Sequence, residues 1–202
     1  VAINKKQVQI PVTNIHAWSA ESPTLYRCVE ELGEDSYKTT FGFRTIRFDE
    51  NDIYINGQKV FLRGLNRHQC YPYIGYAAVD SLQEEDVRIL KEELHVNAVR
   101  TSHYPQSQSF IDACDRYGLY VFTEIPGWQH IGDETWIQLA IQNTKDMVLQ
   151  YRFHPSIILW GVRINESLDD DELYTKTNEI ARKLDPSRPT AGVRYLTKSH
   201  LL

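Results

Sequence analysis

The spacing of apolar side chains divides the chain into two regions of different period. Up to about residue 49, short alternating pieces, Val8 to Val12 and Leu25 to Glu31, read as β-strands with a turn at Gly33 to Asp35. No helix-length 3.6-residue pattern occurs there. A strand pair or half of a sandwich is expected, because a full sandwich takes about seven strands. Asn56-Gly57, set between "DIYI" and "QKVFLRG", predicts a hairpin. The rhythm then changes. "DSLQEEDVRILKEELH" predicts an amphipathic helix with Val87, Leu90 and Leu94 on one face and Ser81 with Glu84 as a capping box. "NAVRTSHYP" predicts a strand, and Ser107 to Tyr117 a helix with Phe110, Ile111 and Cys114 inward and Gly118 at its end. A strand in "LYVFTEIP" follows, then a long helix from Glu134 to Tyr151 that uses Leu139, Met147 and Val148. "SIILWGV" is the next strand, Asp170 to Leu184 a helix stopped by Asp185-Pro186, and "RPTAGVR" a fifth strand.

Strands alternating with helices at this spacing predict parallel βα units. A doubly wound sheet and a (β/α)8 barrel both fit. No glycine-rich phosphate loop follows a strand, so nucleotide-binding versions lose support. The barrel gains support from the strand ends. Four successive strands finish in polar groups: Asn66-Arg67-His68, Ser102-His103-Tyr104, Thr123-Glu124 and Asn165-Glu166. Barrel enzymes assemble their chemistry at that end. The expected fold class is therefore α/β, a partial (β/α)8 TIM barrel of about five βα units over 50–202, preceded by a β-rich segment over 1–49. A complete barrel takes about 250 residues, and this chain has 202 in all. It is expected to be part of a longer parent. Open sheet edges make a homo-oligomer one expected outcome.

Composition narrows the function classes. Formal net charge is −5, from 22 basic and 27 acidic residues, and no basic stripe would track a phosphate backbone. No nucleic-acid partner is expected. No apolar stretch approaches the ~18 residues of a membrane span, so no membrane partner is expected either. Cys28, Cys70 and Cys114 are widely spaced, which argues against a disulfide framework or a zinc cluster. The opening "VAINKKQVQI" has neither a methionine start nor a signal-peptide core, which fits a processed or excised chain. Compartment stays open between the cytoplasm and periplasm of a bacterium.

Candidate chemistry centres on Glu166. A carboxyl beside Trp160 and an apolar strand can hold a proton near neutrality and serve as a general acid. The bland alternative is a helix cap or a solvated loop residue. Asn165 can donate to a substrate hydroxyl. His68 and His103 suit sugar hydroxyls, a metal or proton transfer, or else bond backbone carbonyls. Arg67 and Arg100 either hold carboxylates or close a barrel-end salt bridge. Glu124 either binds substrate or pairs with one of those arginines. Trp128, Trp160, Tyr104 and Tyr73 either floor a sugar site or belong to the core. The run Asp169 to Glu172 fits a helix start better than a metal site.

Together these pieces resemble glycoside hydrolase family 2, the β-galactosidase and β-glucuronidase family. "SPTLYRCVEEL" and "TTFGFRTIRFD" resemble the end of that family's immunoglobulin-like domain. "NGQKVFLRGLNRHQCYP", "NAVRTSHYP", "CDRYGLYVFTEIP" and "HPSIILWGVRINES" resemble its barrel strands. The resemblance implies Glu166 as acid/base paired with Asn165, His68 and His103 lining the sugar subsite, and Arg100 and Glu124 in support; from the residues themselves Trp128 joins the sugar-binding candidates and Arg163 the supporting ones. It implies a retaining hydrolase of carbohydrate substrates, most of all terminal β-D-galactosides, whose nucleophile lies beyond residue 202. The chain alone is then expected to be inactive. β-Glucuronidase, β-mannosidase and a non-catalytic carbohydrate-binding piece are the alternatives. The chain departs from the pattern in several places, among them "HQCYP", which lacks the fuller histidine pattern of the best-known β-galactosidases. "WGVRINES" carries one more residue than the family's usual wording, which brings Arg163 forward as a site candidate. Trp128 stands where magnesium-using members carry an acidic residue, which leaves a parent's Mg2+ site incomplete, so no cofactor or metal ligand is assigned.

Overall fold

The computed structural model describes residues 9–195. β1 (Tyr26–Leu32) and β2 (Asp35–Phe41) form an antiparallel ribbon. β3 (Ile46–Phe48), β4 (Ile53–Ile55) and β5 (Gln58–Val60) form a three-stranded antiparallel sheet. Asn56 and Gly57 join β4 to β5 with φ of 51° and 78°. Two left-handed residues make a turn whose twist matches the flanking strands, so Asn-Gly suits that position.

Five parallel strands come next: β6 (Gly64–Arg67), β7 (Ala98–Thr101), β8 (Tyr120–Glu124), β9 (Ile157–Gly161) and β10 (Thr190–Ala191). They are ordered β10-β9-β8-β7-β6. Between them lie α1 (Asp80–Arg88), α2 (Gln108–Tyr117), α3 (Glu134–Tyr151) and α4 (Asp171–Leu184). This is a partial (β/α)8 barrel, and the β-rich part before it is immunoglobulin-like.

The two-residue alternation of the strands separates two faces. Val99, Thr101, Val121, Thr123 and Trp160 are buried beneath the helices. There they join Phe110, Ile111, Met147, Val148, Leu173 and Tyr174 in one core. Burying such side chains stabilises by roughly 1.5–3 kcal/mol each. The other face is concave, and Asn66, Arg100, Phe122 and Leu159 line a cavity there of about 240 Å³. A second core fixes the β-rich region to the barrel. Trp18, fully buried, packs edge-on to Tyr120 at 5.7 Å and donates its indole N–H to the Asp115 carbonyl at 2.9 Å. Arg44 donates to the carbonyls of Pro155 and Ile157, each at 2.9 Å.

Several expectations are corrected. Residues 9–12 form no strand, and Ile10 and Val12 are exposed; the rest of the expected Val8 to Val12 strand lies outside the described residues. "QKVFLRG" is divided: its first half closes the hairpin as β5 and its last residue opens β6. Ser81 does not cap α1, since Val79 holds the N-cap position without a side-chain bond. Leu94 is exposed because a π-helical turn over Ile89–Glu93 follows α1 and rotates its end off the helical face. Leu139 is exposed on α3, whose buried stripe runs instead through Ala140, Thr144, Met147, Val148 and Tyr151. The starts of the other three helices are capped by side chains, Ser107 on α2, Asp133 on α3 and Asp170 on α4. Asp170 thus accounts for the acidic run at the start of α4 as a cap.

Candidate active site

The polar strand ends converge at one rim of the sheet. Arg100, on the concave face of β7, lies opposite Glu124 at the end of β8. Its Nε donates to Glu124 Oε2 at 3.1 Å, and its Nη2 donates to Oε1 and Oε2 at 2.9 Å each. Glu124 is only 1% exposed. A carboxylate that deep is tolerable because a planar guanidinium engages both of its oxygens. Gly161 permits the arrangement, since a Cβ there would lie 2.3 Å from the Glu124 Cβ. His103 Nδ1 is 2.9 Å from Glu124 Oε1, and the Ser102–His103 peptide is cis.

Arg100 also reaches the loop after β9. Its Nη2 donates to Asn165 Oδ1 at 2.6 Å. Asn165 is buried, and its Nδ2 has no hydrogen-bond partner among the described residues. A buried amide donor of this kind is normally completed by water or a ligand. Trp128, after β8, pairs in a parallel bridge with Asn165, and the Gln129 N–H donates to the Asn165 carbonyl at 2.7 Å. The Trp128 ring stacks on His103 at 6.3 Å and 17°, and His103 meets His68 edge-on at 5.2 Å. Tyr104 and Tyr76 extend this line of rings outward.

Glu166 stands on the same rim with φ of 54°, a left-handed backbone that is uncommon outside glycine and clusters at functional sites. Its Oε2 accepts from Trp128 Nε1 at 3.1 Å and from Gln129 Nε2 at 3.3 Å. The Trp128 donor first, and then the Gln129 donor, hold the carboxyl below its ordinary range; burial opposes them weakly, and His103 and Arg100 add a little. This corrects the expectation that Trp160 raises it. Trp160 is fully buried in the core with its Nε1 on Asp185 Oδ2 at 3.0 Å. Glu166 lies six positions after Trp160, and the chain turns outward between them.

Other candidates fall away from the rim. Arg67 is buried as a strut, donating to Asp86, Gln106, Gln83 and Tyr71 beneath the first loop. Arg163 does not enter the site. It is 1% exposed, donates to Asp169 at 2.7 Å and to the Ser167 carbonyl at 2.8 Å, and lies over the Tyr174 ring. It underpins the loop that carries Asn165 and Glu166. Tyr73 is fully solvent-exposed. Gln129 was missed in the sequence. It follows Gly127 and Trp128 in "GWQHIG", and only its left-handed φ of 62° turns it toward Glu166.

The rim does not suit Mg2+. At the position where an acidic ligand is expected, Trp128 offers an N–H, and Glu124 is already bound by Arg100 and His103. Among the described residues, three candidate ligands converge instead at Asp112, Asp115 and His154, whose ligand atoms lie within 4.8 Å of one another. They sit at the opposite end of β9. His154 is hydrogen-bonded there to Asp115 at 2.6 Å and Gln108 at 2.6 Å, so the cluster is an incomplete metal site with its atoms already engaged.

The family model "Glycosyl hydrolases family 2, TIM barrel domain" matches residues 46–200, and "Glycosyl hydrolases family 2" matches 1–44. The chain belongs to glycosyl hydrolase family 2. It is 54% identical over 200 residues to a β-galactosidase of Thermoanaerobacter pseudethanolicus, covering 96% of this chain and 27% of that protein. It is 52% identical over 193 residues to a β-galactosidase of Thermoanaerobacterium thermosulfurigenes, covering 94% of this chain and 27% of that one. The chain thus spans about a quarter of these relatives' length. A solved β-galacturonidase of Eisenbergiella tayi bound to galacturonate is 32% identical with a TM-score of 0.83, over 92% of this chain and 35% of that one. Apo β-glucuronidase 3 of Bacteroides uniformis is 35% identical with a TM-score of 0.78, over 87% and 24%. The family is one of catalytic hydrolases. No helix among the described residues is long and apolar enough to cross a membrane.

Proposed function

We propose that the family 2 protein containing this chain is a retaining exo-glycosidase that releases terminal β-D-galactose. The observation that carries the reading is Glu166, held at the rim beside His103, Trp128 and the Asn165 Nδ2, which has no partner among the described residues. Glu166 protonates the departing glycosidic oxygen as a second carboxylate attacks the anomeric carbon. It then takes a proton from the water that breaks the glycosyl-enzyme bond. Asn165 donates to a sugar hydroxyl, and His68, His103 and Trp128 face the ring. Arg100 and Glu124 fix Asn165 and His103, while Arg163 fixes the loop. A retaining pair stands about 5–5.5 Å apart, and a like charge that near raises a carboxyl's pKa. The low value of Glu166 beside two donors is then the state of a site without its second carboxylate. Glu124 does not fill that role, because Arg100 and His103 occupy it. The chain by itself is accordingly inactive.

Two relatives above half identity carry the β-galactosidase name, while the uronidases stand near a third. Charge supports a neutral sugar. Arg67, Arg100 and Arg163, the arginines of the strand ends, are each engaged by protein acceptors rather than presented to a uronate carboxylate. In the full-length protein, nitrophenyl β-galactoside should be hydrolysed faster than the matching glucuronide. Glu166→Ala should lower kcat for poor leaving groups by about 10²–10⁴-fold and for activated ones much less. Equal losses would reject the acid role, and preference for the glucuronide would reject the sugar.

A further inference from the structure

The β8 loop grips the carboxylate that the β9 loop carries. Gln129 Nε2 and Trp128 Nε1 both donate to one oxygen of Glu166, Oε2, at 3.3 and 3.1 Å. The backbones of the two loops are joined as well, through the Trp128–Asn165 bridge and the Gln129 N–H on the Asn165 carbonyl at 2.7 Å. From the other side the Glu166 N–H is held by the Val193 carbonyl at 3.0 Å. Gln129 and Glu166 both have left-handed backbones, with φ of 62° and 54°. Outside glycine such a conformation persists only where the surroundings fix it. Two strained residues facing each other across two loops are a built contact rather than a chance surface pair.

We propose that Gln129, together with Trp128, is a positioning residue for Glu166: the pair clamps Oε2 and leaves Oε1 turned to the substrate oxygen. The inference rests on the acid/base reading of Glu166 for its purpose, but the clamp itself is a property of the ligand-free chain. The clamp is selective for charge. A carboxylate accepts two N–H donors on one oxygen, whereas a protonated carboxyl accepts less strongly and has a proton of its own to place. The grip therefore tightens as Glu166 ionises and loosens as it takes a proton. In a two-step reaction this favours the base form that must activate water. His103 and Arg100 are the titratable and charged neighbours that act on the same carboxyl, in the same direction as the clamp. Trp128 is shared, because its ring stacks on His103 while its N–H holds Glu166. Among the described residues, the hydrogen bond to Glu166 is the contact the Gln129 side chain makes.

The test is a carbon-detected NMR titration of glutamate side-chain carboxyls in the 202-residue chain, with Glu166 assigned by its loss in Glu166→Gln. Gln129→Met keeps length and removes the donor. Trp128→Phe keeps a ring on His103 and removes the indole N–H. Each change should raise the Glu166 pKa by about half a unit or more, and the two together by more than either. His103 ring shifts should stay in place in Gln129→Met. Unchanged titration in both folded variants would overturn the clamp, as would a fall in the pKa. If Gln129→Met does not fold, Trp128→Phe still decides. Substrate and turnover play no part, so the clamp can fail while the acid/base role stands, and the reverse.

Discussion

Arg100 shows how much one side chain can organise. It spans β7, β8 and the loop after β9, touching Glu124 through both oxygens and Asn165 through Oδ1. Removing it strands a carboxylate that is 1% exposed. Losing one partner of a buried ion pair costs about 3–5 kcal/mol. Arg100→Leu should therefore lower the urea midpoint of the chain by that equivalent and free the Asn165 side chain. Arg100→Lys should recover part of the loss, since an ammonium is a point charge without the planar fork. A Leu variant as stable as wild type would show that the network is ornamental to folding. The arginine was visible in the sequence as a strand-end residue, but its partner was not decided. Glu124 could bind substrate or pair with Arg100 or Arg67, and only the register of β7 against β8 sets it against Arg100.

At the scale of elements, strands and helices were readable where one face is buried and the other wet. Helices α2 and α4 carry the strongest apolar stripes, and their sequence limits agree with the structure within a residue. The hairpin at Asn56-Gly57 was legible because its backbone demands those residue types. What failed were details set by neighbours. The π-turn after α1 obeys no local pattern, so Leu94 was placed inward. The capping box at Ser81 had the right letters, yet the chain enters α1 two residues earlier through Val79. The low state of Glu166 depends first on Trp128 and then on Gln129, 38 and 37 residues away in sequence, and no window of sequence could show it. Close packing between β8 and β9 gives a test at this scale. Gly161→Ala should press its methyl into Glu124, 2.3 Å away. Overpacking of this kind costs about 1–3 kcal/mol, and a lowered melting temperature together with displaced His103 ring resonances would register it.

For the molecule as a whole, the base of the barrel rests on a charged strut. Asp185 accepts from Trp160 Nε1 at 3.0 Å and from Ser187, and pairs with Arg188. Arg188 in turn donates to the carbonyls of Ile157 and His154 at 2.7 Å each. Burial pushes the Asp185 carboxyl up, but Arg188, Ser187 and Trp160 outweigh it and hold the pKa below its ordinary 3.8. A carboxyl depressed by folding stabilises the fold above its unfolded pKa, and that support is lost as pH falls through the folded value. Asp185→Asn should thus be less stable than wild type near neutrality. The gap between the two urea midpoints should close as pH drops below about 4. A gap that held constant into acid would mean that the charge of Asp185 does not matter to stability.

The seat of Trp18 has one more consequence. Its indole is locked against Tyr120 and the Asp115 carbonyl, while Arg44 ties the following segment to β9. The exposed Gly33 turn lies between those two anchors along the chain. A protease nick at that turn would therefore release nothing: both peptides would stay clasped to the barrel until a denaturant parted them.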